Sequence, residues 1–173
     1  RRSSDLYMAY IRIQYPDARM SFIGSLELFL DPKQLDNWKN FRNEYIGFYE
    51  SVIEYILDNS WYDTDISTLH KYYSGFLYTT EEIQKIREYG ECLWDWAHPL
   101  HPKAEAYEKV HGNYDYVYLT DERLPEVLAK TKELYDLMKA NDEKYDFERS
   151  LRLSREDPDW YPPPKYDEKG RLI

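Results

Sequence analysis

Residues able to bind a metal are concentrated in the stretch ECLWDWAHPLHP and in the residues just after it. Asp95 and His98 are three positions apart, and Glu108 and His111 repeat that spacing. On a helix this spacing places a carboxylate and an imidazole on one face, which is how di-iron helical bundles hold their metal. A metal-dependent helical-bundle enzyme using Glu108, His98 and His111 is therefore one hypothesis for the function.

A zinc site is a related hypothesis, because Cys92, His98, His101 and His111 are ligand types that zinc prefers. Their spacing matches none of the common zinc-finger patterns. The six glycines are scattered and form neither phosphate-binding loop, and the serine-hydrolase motif is absent. Isolated histidines more often serve as ordinary hydrogen-bonding side chains. We therefore predict no catalytic residue, no metal and no cofactor.

Helices are the elements predicted to position these residues. Apolar residues recur at three- and four-residue steps over residues 32–58, which indicates one long helix with Asp31 as its cap. A shorter helix is predicted before it, with Asp17 as cap and Met20 among its inward-facing residues. Residues 5–15 are ambiguous between helix and strand, and we favour helix because no partner strand follows.

Further helices are predicted along the second half of the chain. They are a short one over residues 64–75, one after a capping box of Thr79 and Glu82, one over residues 102–112, and a long one beginning near Asp121 or Leu124. The stretch NYDYVYL is predicted to be a connecting loop. The predicted fold class is all-α: an irregular helical bundle of five to seven helices, two of them long, with an extended C-terminal arm rich in proline and aromatic residues.

The composition excludes several classes of protein. A net charge of −10 repels phosphate backbones, so nucleic-acid binding is not expected. The longest mostly apolar run, FIGSLELFL, is far shorter than the ~20 residues of a membrane-spanning helix. A single cysteine cannot form an intrachain disulfide. The 19 tyrosines and 5 tryptophans exceed what a small core needs and are typical of interfaces.

Two aromatic groups are candidate partner-binding sites. Tyr114, Tyr116 and Tyr118 alternate along NYDYVYL and, in an extended segment, would form a ridge on one side. The alternative is that they are solvated loop residues. The second group lies in residues 157–173, where the proposed anchors are Trp160, Tyr161, Tyr166, Leu172 and Ile173.

The C-terminal residues favour an assembly on energetic grounds. Ordering 17 residues costs about 1–2 kcal/mol each, whereas full burial of an anchor returns only about 1.5–3 kcal/mol. An ordered arm therefore needs nearly all of its anchors buried, and a neighbouring subunit is an easier host than one small domain. We predict a helical domain over residues 1–153 and a docking arm over residues 154–173.

The sequence starts with RRSS and no methionine, and Arg- and Ser-rich, acid-poor sequence is typical of organellar targeting peptides. The alternative is a boundary unrelated to processing. With its acidic, aromatic-rich body and Pro-aromatic arm, the chain resembles accessory subunits of mitochondrial respiratory complexes and ATP synthases. That resemblance implies a non-catalytic structural subunit in mitochondria, peripheral to a membrane complex, with other protein subunits as partners. A soluble acidic adaptor or immunity protein that binds a basic partner is a further alternative.

Overall fold

The computed structural model describes residues 10–40, 47–60 and 75–161, and within these ranges the regular structure is helical with no strand, which confirms the all-α prediction. A π-helical turn, Tyr49–Glu54, leads into the helix that begins at Tyr55, and a 3-10 turn, His98–Leu100, separates the helix that ends at Ala97 from the one that begins at His101. The α-helices, in chain order, are α1 (Pro16–Leu30), α2 (Pro32–Asn40), α3 (Tyr55–Ser60), α4 (Thr80–Ala97), α5 (His101–His111), α6 (Tyr116–Leu119), α7 (Leu124–Lys144) and α8 (Phe147–Glu156).

The long helix α7 is central to the bundle, since α1 and α4 both pack against it. Helix α3 packs on α4, and α8 packs on α1. Their inner faces form one continuous apolar core. Its fully enclosed members include Leu26, Phe29, Phe48, Val52, Ile53, Ile56, Leu93, Tyr118, Val127 and Met138. Within the described part of the chain, no helix is both long and apolar enough to cross a membrane.

The prediction of one helix over residues 32–58 is wrong, although Trp38, Phe48, Val52 and Ile56 on its predicted apolar face are buried. Helix α2 extends to Asn40, and Gly47 is not helical. A new helical segment begins at Phe48 because the Asp115 carboxylate accepts hydrogen bonds from the backbone N–H groups of Phe48 (2.8 Å) and Tyr49 (3.1 Å). A carboxylate at this position satisfies donors that the first helical turn leaves open.

Gly47 makes room for that carboxylate. A Cβ atom at position 47 would lie 2.6 Å from Oδ2 of Asp115 and 3.0 Å from Oε2 of Glu50. A side chain would therefore displace Asp115 from the N–H groups that it binds. The break between α2 and the next helical segment is thus a packing requirement that hydrophobic periodicity does not reveal.

Helix α1 begins two residues earlier than predicted, because its N-cap is Tyr15 and not Asp17. Pro16 occupies the first helical position, where it removes one of the unsatisfied N–H groups, and no side chain caps this end. The inward face also differs from the prediction, because Met20 is 48% exposed. Ile23 and Leu26 are buried as predicted, and Phe22 and Phe29 also face the core.

The predicted helix over residues 5–15 is wrong for its described part, residues 10–15, which is not helical. The backbone N–H of Ile13 donates to the Ser150 hydroxyl (3.2 Å), and the N–H of Ile11 donates to the carbonyl of Tyr145 (3.4 Å). Ile13 is fully buried. A neighbouring strand was unnecessary because the start of α8 and the turn before it supply hydrogen-bond partners.

The cap of α4 is half of what the capping-box pattern predicts. The Thr79 hydroxyl accepts from the N–H of Glu82 (3.1 Å), as predicted. The Glu82 carboxylate accepts from the N–H of Tyr78 (2.9 Å) and turns inward to Arg19. The glutamate therefore caps the chain one residue earlier and also belongs to a buried ion pair.

Arg19 connects three helices from the interior of the bundle. Its Nη1 and Nη2 atoms donate to both carboxylate oxygens of Glu82 on α4 (2.9 and 2.7 Å). Its Nε donates to Asp142 on α7 (2.6 Å), and the remaining donors reach the carbonyls of Phe76 and Met138. The side chains of Arg19 and Glu82 are completely enclosed, so this is a buried, fully hydrogen-bonded network.

The boundaries of the later helices mostly follow the prediction. Helix α5 ends at Gly112, whose positive φ of 71° permits the left-handed turn. Helix α7 begins at Leu124, with a proline in its first turn. The predicted domain boundary at residues 153/154 falls inside α8, so the helical part extends to Glu156. The predicted helix over residues 64–75 lies outside the described residues except for its last position.

Candidate functional site

The predicted tyrosine ridge does not exist as predicted, because NYDYVYL is not an extended loop. The amide oxygen of Asn113 accepts from the N–H groups of Asp115 (3.1 Å) and Tyr116 (3.3 Å), which starts the short helix α6. Tyr118 is fully buried in the core, and Tyr114 and Tyr116 are half-buried. Whether Tyr114 and Tyr116 contact a partner stays a prediction, whereas Tyr118 has no exposed surface for one.

The helical turn brings Tyr114 and Tyr118 together, and they form the inner half of a series of polar contacts that we call the relay. Their hydroxyl oxygens are 3.1 Å apart. The Tyr114 hydroxyl also bonds to Nδ1 of His101 at the start of α5. Nε2 of His101 lies 3.3 Å from Oε1 of Glu105, one turn along the same helix. The relay therefore leads from a buried phenol to an exposed carboxylate.

Aromatic rings surround the inner end of the relay. The Tyr49 ring lies 5.3 Å from that of Tyr114, edge to face, and 5.5 Å from that of Tyr118. The Trp96 ring is 5.9 Å from Tyr118. Burial raises the pKa of Tyr114 to about 12 and also raises that of Tyr118. Both side chains are therefore neutral phenols near neutral pH.

The residues proposed as metal ligands do not come together. His98 stacks on the Trp94 ring at 4.3 Å, and His111 packs on Tyr107 at the same distance. No group of three or more His, Cys, Asp or Glu side chains among residues 10–40, 47–60 and 75–161 is arranged to hold a metal ion. Cys92 is half-buried and burial raises its pKa, which makes its thiol a poor nucleophile near neutral pH.

We compared the chain with protein-family models, with curated proteins and with solved structures. None matches it. The function is therefore inferred from this chain's own geometry, at the relay just described and at residues 157–160, which we call the root of the C-terminal segment.

Arg12 holds the root of the C-terminal segment. Its Nη2 donates to the carbonyls of Leu153 (3.2 Å), at the end of α8, and Asp157 (3.0 Å). Its Nη1 lies 3.7 Å from the Asp157 carboxylate, and its guanidinium covers the Trp160 ring at 4.4 Å. One side chain thus fixes the direction in which the chain leaves the helical body.

An exposed aromatic pair, Tyr15 and Tyr161, lies directly beyond this root. Tyr161 is 73% exposed and Tyr15 is 50% exposed. A side-chain hydrogen bond to Tyr161 raises the pKa of Tyr15. Tyr15, just before α1, and Tyr161, the last described residue, therefore lie near each other. The three other predicted anchors, Tyr166, Leu172 and Ile173, lie outside the described residues.

Fewer of the predicted anchors need a neighbouring subunit than the sequence indicated. Trp160 is half-buried and packs on Arg12 of its own chain, so its placement does not require a neighbour. No sequence pattern indicates the contact between Arg12 and Trp160, because Arg12 is a single cation in an otherwise apolar segment. The exposed surface that remains for a partner begins at Tyr161.

Proposed function

We propose that this protein is a non-catalytic accessory subunit of a large assembly and that it binds a neighbouring subunit through its C-terminal segment and the Tyr15–Tyr161 pair. The observation that supports this most is the contrast across one residue: Trp160 is packed against Arg12, whereas Tyr161 is 73% exposed. The root is held in place, and the aromatic residue after it has its ring in solvent.

This arrangement suits binding for two physical reasons. Tyrosine supplies a large contact area at low entropic cost and is enriched among residues that dominate binding energy. A segment whose root is already oriented loses less conformational freedom when it docks. Arg12 thus lowers the cost of association without contacting the partner.

The proposed assembly is a mitochondrial respiratory complex or ATP synthase, with this chain peripheral to the membrane part. Its supports are the acidic, aromatic-rich composition and the Pro-aromatic C-terminal segment, which resemble those of accessory subunits. Fractionation of the source cells tests the location, since the proposal requires the protein to sediment with mitochondria. A soluble acidic adaptor would instead be recovered alone or with one basic partner.

Exchanging the two exposed tyrosines for serine, in the double variant Tyr15→Ser/Tyr161→Ser, is expected to weaken binding to the assembly by about 30-fold. The measurement is the fraction of tagged protein that migrates with the assembly on a native gel of source-cell extract. The effect on folding should be small, because Tyr161 is 73% exposed and Tyr15 is 50% exposed.

The matched control is Val110→Ser, which removes an apolar side chain that is 76% exposed on a different helix. This variant should assemble like the unmodified protein. Equal assembly of the tyrosine double variant and the control would contradict a docking role for the Tyr15–Tyr161 pair.

A further inference from the structure

The contacts of the relay suit one direction for its protons. In the tautomer that has its proton on Nε2, facing the Glu105 carboxylate 3.3 Å away, His101 leaves Nδ1 without a proton. Nδ1 of His101 is then a free acceptor, and the Tyr114 hydroxyl donates to it. Tyr118 in turn donates to the Tyr114 oxygen at 3.1 Å. Every proton therefore points outward along the relay.

We propose that Tyr114 is a redox-active tyrosine, at which the protein yields an electron to an external one-electron oxidant while His101 accepts the phenolic proton. In this step the O–H bond of Tyr114 breaks and an N–H bond forms at Nδ1 of His101. The electron passes to the oxidant, for example an oxidised metal complex. Tyr114 becomes a neutral radical, and His101 becomes an imidazolium facing the Glu105 carboxylate. The inference does not depend on the accessory-subunit function.

A proton acceptor matters because Tyr114 is a neutral phenol in a partly apolar site. Removing an electron without moving the proton would leave a positive charge on a half-buried ring, and isolated charges in such surroundings are costly. Transfer to His101 moves the positive charge to an exposed imidazole. There it lies 3.3 Å from a carboxylate that stabilises it.

Two other tyrosines in the described part of the chain have weaker acceptors. The hydroxyl of Tyr89 is paired with that of Thr131 (2.7 Å), which is no base at neutral pH. The hydroxyl of Tyr135 donates to the Glu27 carboxylate (3.1 Å). A carboxylate is a weaker base than an imidazole, so Glu27 is the weaker proton acceptor. Of these three tyrosines, Tyr114 therefore has the strongest base as its hydrogen-bond partner.

The neighbouring rings give the radical site a connection to the core. Tyr114, Tyr118 and Trp96 follow one another at ring separations of 5.5 and 5.9 Å. Electron transfer rates fall steeply with distance, and these separations are close to ring contact. If Trp96 is oxidised, an electron from Tyr114 can thus reduce it again. Of the three residues, Tyr114 is the one whose hydroxyl contacts His101.

The test is flash photolysis of the full-length protein with a ruthenium(III) complex generated by light, followed by electron paramagnetic resonance of the trapped radical. We expect a tyrosyl radical whose signal is lost in Tyr114→Phe and kept in the control Tyr135→Phe. Replacing the base, in His101→Gln, should slow radical formation by about 100-fold, which is the lower end of what a positioned base contributes. Added imidazole should restore part of that rate.

Two results would overturn the proposal: an undiminished signal in Tyr114→Phe, or an unchanged rate in His101→Gln. A measurement on the unmodified protein guards against variants that fold poorly. Its radical should show a hyperfine coupling to one exchangeable proton, the N–H of the imidazolium, that disappears in deuterated water. A radical without that coupling would also contradict the assignment.

Discussion

Replacing Arg19 with methionine is expected to lower the free energy of unfolding by about 3–5 kcal/mol, because it leaves the enclosed carboxylate of Glu82 without its counter-ion. Asp142 loses its 2.6 Å partner at the same time. The corresponding fall in melting temperature is on the order of 10 °C for a domain of this size. Chemical denaturation with circular dichroism measures the free energy, and a thermal scan measures the melting temperature.

The matched control for Arg19 is Lys132→Met, which breaks an ion pair with Asp136 in which both side chains are more than half exposed. Exposed pairs of this kind contribute roughly 0.5 kcal/mol. In a double-mutant cycle, adding Glu82→Gln to Arg19→Met should cost less than the sum of the two single changes, with a coupling of about 1–3 kcal/mol. Additive effects, or a loss below about 1 kcal/mol for Arg19→Met, would contradict the network's role.

Adding one methyl group at position 47, in Gly47→Ala, is expected to destabilise the protein by about 1–3 kcal/mol. The new Cβ would lie 2.6 Å from Oδ2 of Asp115. That oxygen cannot withdraw freely, because it accepts the hydrogen bond from the N–H of Phe48 at 2.8 Å. Equilibrium unfolding in denaturant measures the change.

Gly24→Ala is the matched control, and the opposite sign is expected. Gly24 lies within α1, and a Cβ there meets no atom within 4 Å. Alanine should therefore stabilise the helix by about 0.5–1 kcal/mol. If both variants shift stability in the same direction, the close approach of Asp115 does not determine the break before Phe48.

The fold class could be predicted because helical periodicity and end signals are local properties of a sequence. Pro32 at the start of α2, Thr79 before α4 and Gly112 after α5 all stand where the local chemistry of helix ends requires them. Such signals do not depend on which elements meet in space. The helix boundaries that they define were therefore accessible without a structure.

The failures share a different physical origin, which is contact between distant parts of the chain. Gly47 directly precedes the helical segment that starts at Phe48, and it has no room for a side chain because Asp115, 68 positions later, occupies the space beside it. Residues 10–15 need no helix to satisfy the N–H of Ile13, because Ser150 supplies a hydroxyl that accepts from it. Local periodicity carries no information about either contact.

In the candidate sites, too, composition could be read from the sequence, whereas contacts between distant residues could not. Counting aromatic residues indicated an interface-rich protein, but the burial of Tyr118 follows from the helical turn that Asn113 starts. The pairing of Tyr114 with His101 joins α5 to the turn before α6 and matches no sequence motif. The hydrogen bond from Arg12 to the carbonyl of Leu153 likewise depends on where α8 ends.

The central proposal, docking through the C-terminal segment, is tested most directly by the native mass of the tagged protein in its source cells, with and without residues 161–173. Truncation after Trp160 keeps every contact described for Arg12. We expect the full chain to migrate with an assembly far heavier than its own 21.1 kDa, and the truncated chain to migrate alone while still melting cooperatively. A full chain that migrates near 21.1 kDa, or a truncated chain that stays in the assembly, would contradict the proposal.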